Sequence, residues 1–138
     1  GSQSSTPSAT ATAAPTTKAA NGHLEYTGKS TGSADFTSGV NCEIKAGKLF
    51  GVTTPDPADK KAPKAPLFIA TTGGLEKLAM LVTPDNTTYS HRTSGTVAGH
   101  KSGGGWTVTV RNLKIADDLA GPNDEITVNG SLTCTRTS

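Results

Sequence analysis

Residues Glu125–Thr135 read E-I-T-V-N-G-S-L-T-C-T, and the fold is decided by how this run is read. Ile126, Val128, Leu132 and Cys134 fall on even positions, whereas Thr127, Asn129, Ser131, Thr133 and Thr135 fall on odd ones. Successive side chains of a strand point to opposite faces, so the run has one apolar face and one wet face. Cys134 then sits on the core side. The only other cysteine, Cys42, lies in Gly39–Lys45, where Val40, Cys42 and Ile44 alternate with Asn41, Glu43 and Lys45. Two thiols on the inward faces of strands far apart in the chain predict a disulfide that closes most of the domain. Closing so long a loop removes chain entropy from the unfolded state, for roughly 4–5 kcal/mol.

Composition agrees with a domain that gains from such a link. The chain has 138 residues, 33% of them hydrophobic and 4% aromatic, with 16 glycines. That is a thin core for one domain, suited to short strands and many turns. An even pair of cysteines without C-x-x-C spacing points to a structural bridge in an oxidising, extracytoplasmic compartment. The competing reading is two unrelated buried cysteines in a cytosolic protein. A net charge of +2 is too small to draw nucleic acid or a membrane by field alone. No run reaches transmembrane length. Gly1-Ser2 reads as a cloning scar that replaces the natural start.

Residues 3–22 are almost wholly Ser, Thr, Ala and Pro, with no apolar period. They predict a flexible tether, stiffened by Pro7 and Pro15 and open to O-linked sugars. The folded part is expected over 23–138. His23–Thr27 predicts a first, edge strand, and Phe36–Lys45 a second. Ala46-Gly47-Lys48 predicts a tight turn into Leu49–Thr53. Four prolines between Pro55 and Pro66 leave an exposed loop. Leu67–Ala70 reads as a buried strand. Over 75–83 the pattern is double: Leu75, Leu78, Ala79 and Val82 fit a helix, while Leu78, Met80 and Val82 fit a strand. The β-rich surroundings favour the strand. Thr88–Thr93 and Thr96–His100 read as weaker strands, followed by a turn over 100–105. Trp106, Val108 and Val110 share one face, and Leu113 and Ile115 fall on the other parity, so a β-bulge near Arg111-Asn112 is expected. A polar loop over 116–124 leads back to the closing strand. The sum is all-β: a small antiparallel sandwich of about seven to nine short strands.

Few residues carry chemistry. His23, His91 and His100 show no metal-ligand spacing, and no metal or other cofactor is expected. Asp56, Asp59, Asp117, Asp118, Asp124 and Glu125 suit a calcium site only if they converge; carboxylates that cap turns are the simpler reading. There is no G-x-S-x-G, and a disulfide leaves no free thiol nucleophile, so no catalytic residue is assigned and no enzyme is expected. Gly103-Gly104-Gly105 lacks the lysine and helix of a phosphate loop and reads as a hairpin tip. Lys60, Lys61 and Lys64 suit a solvated loop, with anionic lipid or glycan contact as the alternative. The sequons at Asn86 and Asn129 carry no weight. Trp106 reads as a core plug or, less simply, as the mouth of a ligand pocket.

The runs Gly104–Val110, Ala116–Pro122 and Glu125–Val128, the close on Leu132-Thr133-Cys134, and Thr37–Cys42 around the first cysteine together resemble the mycobacterial 19-kDa lipoprotein antigen family. The Pro55–Pro66 loop departs from that family's pattern. The resemblance implies an actinobacterial lipoprotein of the cell envelope or cell surface, membrane-anchored through a lipidated N-terminal cysteine that this sequence lacks, or secreted by shedding. It implies an antigen and, through the acylated N-terminus, a ligand of Toll-like receptor 2. Display and interaction with a host receptor or envelope component is therefore the expected function, with no nucleic-acid partner. The alternative is a carrier that holds a lipid or glycolipid acyl chain between its sheets. In that case Leu67, Phe68, Ile69, Leu78, Met80, Val82 and Trp106 would line a hydrophobic ligand pocket.

Overall fold

A computed structural model of the chain describes residues 21–72, 77–117 and 121–138, with the backbone alone at 121–123. The predicted tether over 1–22 lies outside the described residues except for Asn21 and Gly22, as do Leu75 and Asp118. Among the described residues there are eleven strands and no helix. They are β1 (Gly22–Gly28), β2 (Gly32–Phe36), β3 (Asn41–Lys45), β4 (Lys48–Thr54), β5 (Leu67–Thr71), β6 (Ala79–Val82), β7 (Thr88–Tyr89), β8 (His91–Ser102), β9 (Gly105–Asp117), β10 (Gly121–Thr133) and β11 (Arg136–Thr137). One sheet has the order β2-β1-β10-β9-β8; the other has the order β11-β3-β4-β5-β6-β7. The architecture is the expected β-sandwich, with more strands than the seven to nine predicted and three of them 12 or 13 residues long.

Two inner faces meet because apolar residues recur at every second position of the strands. Leu24 and Tyr26 of β1, Val108 and Val110 of β9, and Ile126, Val128 and Leu132 of β10 come from the first sheet. Cys42, Val52, Phe68, Ala70 and Leu81 come from the second, and all are buried in one cluster. The bulge expected near Arg111-Asn112 is present. Val110 pairs with Gly130 and Leu113 with Val128, so β9 carries one extra residue at that point. Asn112 adopts the left-handed region at φ 49° and donates its backbone N–H to Asn129 Oδ1 at 2.9 Å. Leu113 and Ile115 are thereby returned to the core with no exposure. Gly95 faces the bulge, with its Cα so close to Leu113 that a side chain would overlap that backbone.

Four expectations are corrected. The predicted edge strand around His23–Thr27 is interior, flanked by β2 and β10, because the short Gly32–Phe36 strand supplies the edge. The single strand expected over Phe36–Lys45 is two strands in different sheets, and the chain crosses between sheets at Thr37–Val40. Thr88–Thr93 is likewise divided at Ser90, with β7 in one sheet and β8 in the other. The Ala46-Gly47 turn is as read, with both residues at positive φ (53° and 74°), the geometry that matches the twist of a two-residue hairpin. The ambiguous 75–83 run is strand over Ala79–Val82. The polar loop expected from Ala116 is shorter than that, since β9 continues to Asp117 and β10 begins at Gly121.

The cysteines form the disulfide: Cys42 of β3 is joined to Cys134, immediately after β10, with Cα atoms 5.8 Å apart. It is a covalent rivet between the two sheets. The chain changes sheet at the same point, for β11 begins two residues later and runs parallel to β3, Arg136 beside Asn41 and Thr137 beside Cys42. Among the described residues every other strand pair is antiparallel. Thr135 secures the crossing: its Oγ1 accepts the Val40 N–H at 2.8 Å, and its own N–H is donated to Val40 O at 2.9 Å.

Candidate functional site

The β8–β9 hairpin sets the geometry of the most open concavity described. Its register pairs Val97 with Val110, Gly99 with Val108, and Lys101 with Trp106. Directly opposed residues share a face, and Val97, Val108 and Val110 are buried. Lys101 and Trp106 therefore continue the inward-facing row toward the hairpin tip. The other wall is the β3–β4 hairpin of the second sheet. At Gly99 the two walls touch: a Cβ there would lie 2.5 Å from Leu49 Cβ, so no side chain fits without movement. Beyond that contact the sheets part, leaving an open groove of about 550 Å³ lined by Lys48, Leu49, Thr72, His100, Lys101 and Trp106, among others. The Thr72 hydroxyl donates to Leu49 O and holds that wall in place.

The electrostatics of the groove are one-sided. Lys48, His100 and Lys101 are exposed, and no ion pair engages them among the described residues. The carboxylates that are engaged lie elsewhere. Asp117 and Asp124 approach Lys29 at 3.4 and 3.7 Å, Glu43 approaches Lys45, and Asp56 is held by Arg136. Trp106 packs one side against the core and keeps part of its surface in the groove. Lys101 is the cross-strand partner of Trp106 on the inward row, whereas Lys48, paired with Lys45, and His100, paired with Thr107, fall on the alternate parity of their strands.

The sequence-predicted ligand residues fall in separate places: Leu67 with Val82 and Ile69 with Met80 form cross-strand pairs on the outer face of the second sheet, away from Phe68 and Trp106. Phe68 is buried between the sheets, whereas Leu67, Ile69, Met80 and Val82 are half-buried at the alternate positions of β5 and β6, and Leu78 is 57% exposed. The inward residues of β6 are Ala79 and Leu81, so the strand parity assigned through Leu78, Met80 and Val82 is the reverse of the one observed. Of the set, Trp106 alone lines the groove. Lys48 and Lys101 belong to it and were not singled out. A lysine on the inward row directly opposite the lone tryptophan was the available signal.

The other candidates have structural roles. Among the described residues no three His, Cys, Asp or Glu side chains converge as a metal site. His23 places Nδ1 2.5 Å from Asp35 Oδ1 and Nε2 3.3 Å from Glu25 Oε2. Both ring nitrogens thus face carboxylates, which raises its pKa above 6.5, chiefly through the Asp35 contact, and leaves neither nitrogen to serve a nucleophile. Asp59 accepts the Lys61 N–H at 3.2 Å as a turn cap. Lys60, Lys61 and Lys64 are exposed on the proline-rich loop. Neither a family model, nor a curated protein, nor a solved structure matches this chain.

Proposed function

We propose that this chain is the interaction domain of an exported, non-enzymatic cell-envelope lipoprotein, displayed at the surface on an N-terminal lipid anchor. The observation that carries the reading is the Cys42–Cys134 disulfide, a link between sheets that an oxidising compartment makes and keeps. Support comes from the Ser/Thr/Ala/Pro-rich start, which suits a leash, and from the resemblance to the 19-kDa lipoprotein antigens in the runs around both cysteines. On this reading the acylated form is antigenic and engages Toll-like receptor 2, while the folded domain meets envelope or host components. Catalysis has no place in it, since binding and display require only a rigid scaffold with an accessible surface.

The test is expression of the full-length gene, with its own upstream sequence, in an actinobacterial host, followed by fractionation and intact mass measurement. The expected product is envelope-associated, carries an acylated N-terminal cysteine, and gains mass on alkylation only after reduction. A cytoplasmic product with alkylatable thiols overturns the reading.

A further inference from the structure

We propose that the outer face of the second sheet, over β5 and β6, docks against the same face of a second copy of this chain. Strands of an antiparallel sandwich are normally apolar on the inward parity and polar on the outward one. The first sheet keeps that rule, with Thr107 beside Thr133 and Thr109 beside Ser131 on its outer face. β5 and β6 break it. Phe68, Ala70, Ala79 and Leu81 are buried inside, yet the outward positions are also apolar. The register sets Leu67 beside Val82 and Ile69 beside Met80, so four large side chains form one block. Leu78, whose carbonyl accepts the Thr71 N–H at 2.9 Å, extends the block beyond β6 with its side chain exposed. Strands apolar on both parities are the pattern of a sheet covered on both faces. Among the described residues no third layer lies over this one.

Charge and size narrow the occupant. The outward residues of β5, β6 and β7 are Leu67, Ile69, Thr71, Met80, Val82 and Thr88, all uncharged. Glu43, Lys45 and Lys48 stand apart on β3 and β4, where Glu43 and Lys45 pair with each other at 3.6 Å. A twofold contact centred on the block therefore buries no charge. An anionic lipid surface would need cations among the apolar positions, and there are none. The N-terminal segment has nothing to fill the face, since residues 1–20 contain no Leu, Ile, Val, Met or aromatic residue. A matching sheet can interdigitate with it at about 10 Å, as the first sheet already does on the inner side. Three strands of five residues give a footprint of roughly 240 Å². That is well short of the ~800 Å² per partner of a stable interface, so the dimer is a weak one. Cross-strand packing alone would account for Ile69 beside Met80. It would not account for Leu78, left open past the end of β6.

This goes beyond the export reading and does not depend on it. If both hold, copies anchored on one surface meet at a raised effective concentration. The disulfide-intact chain is followed by sedimentation equilibrium and heteronuclear NMR from about 10 μM to about 1 mM, the range of a weak complex. The expected result is a mass rising from one chain toward two, with amide shifts confined to Leu67–Thr71, Leu78–Val82, Thr53 and Thr88. Met80→Lys and Met80→Glu should each associate about tenfold more weakly or worse. An equimolar mixture of the two should associate again, a rescue that loss of folding cannot give. Ile69→Thr should weaken the dimer with thermal unfolding close to that of the parent. Vesicles of phosphatidylcholine, with and without phosphatidylglycerol, supply the membrane arm. A chain that stays monomeric throughout, shifts on another face, a mixture no better than either variant, or vesicle binding in place of self-association overturns the proposal. None of those results touches the export reading, which fails only on localisation and thiol state.

Discussion

Arg136 grips Asp56 with both arms of its guanidinium: Nε lies 2.7 Å from Oδ2 and Nη2 lies 2.7 Å from Oδ1. The pair ties the proline-rich loop to the last strand, across 80 positions of sequence. Asp56 is nearly buried, its side chain 8% exposed, and also accepts the Ala58 N–H at 2.9 Å. The Arg136 hydrogen bonds hold its carboxyl at about 2, against an ordinary 3.8, with burial opposing them.

That depression fixes a pH dependence. A carboxyl whose folded-state pKa is lowered adds stability that is fully present above about pH 4 and is lost as pH falls toward 2. The contribution is about 2 kcal/mol, reduced somewhat because Arg136 is half-exposed. Denaturant unfolding at pH 7 and pH 2.5 should show this part of the acid loss in the parent and not in Asp56→Asn. Arg136→Ala leaves a buried carboxylate with one backbone donor and should cost about 2 kcal/mol at pH 7. An Arg136→Ala chain with unchanged stability would mean that the clamp does not hold the loop.

Reduction should be costly. The bridge spans 92 positions, and removing so long a cross-link costs roughly 4–5 kcal/mol in the chain-entropy account. Cys42→Ala/Cys134→Ala is expected to show a large fall in thermal midpoint, matched by the parent in reductant. A parent midpoint indifferent to reductant would remove the bridge from the list of supports.

At Gly99 and Gly95 the backbone is approached too closely for a side chain. Gly99→Ala forces Leu49 aside and should cost about 1–3 kcal/mol. Gly95 combines φ 109° with contact from the Leu113 backbone, so Gly95→Ala should cost at least as much. Urea midpoints measure both. The Gly99 variant should also alter Trp106 emission, while the Gly95 variant, farther along β8, should not.

The bulge offers a finer test. Asn112 is left-handed, a conformation that asparagine and glycine tolerate, so Asn112→Gly should be within about 0.5 kcal/mol of the parent while Asn112→Val costs about 1–2 kcal/mol. Asn129→Ala removes the acceptor for the Asn112 N–H and should cost about 1 kcal/mol. Parity in the Asn112→Val chain would place the bulge elsewhere.

His23 gives a second pH signature with the opposite sign. Its pKa is raised, so the stability it adds is present below 6.5 and disappears as pH rises through the folded value. Proton NMR should find it titrating above 6.5 in the parent and lower in Asp35→Asn.

Alternation made the sandwich readable where one parity was apolar and the other polar. Ile126, Val128 and Leu132 are all buried as expected, and the shift from Val110 to Leu113 announced its own bulge. The reading slipped where both parities were apolar. Leu78-Ala79-Met80-Leu81-Val82 fits either face, and the larger side chains pointed to the wrong one. The true face is set by cross-strand pairing of Leu81 with Phe68, a long-range contact that no local pattern encodes. Sheet switching at Thr37–Val40 and Ser90 was hidden for the same reason, since a strand and its successor in the other sheet read as one run. The groove was illegible because its lining residues come from separate hairpins. Its two walls are brought together only by the contact of Gly99 with Leu49.

The register of the first sheet has one further consequence. Gly22 is paired to Leu132, and at the same level across the sheet come Val108 and then Gly99. The first described strand thus begins at the very end of the sandwich where the groove gapes. On the lipid-anchored reading proposed above, that mouth would open toward the surface to which the protein is moored, and whatever lies on that surface would be met first.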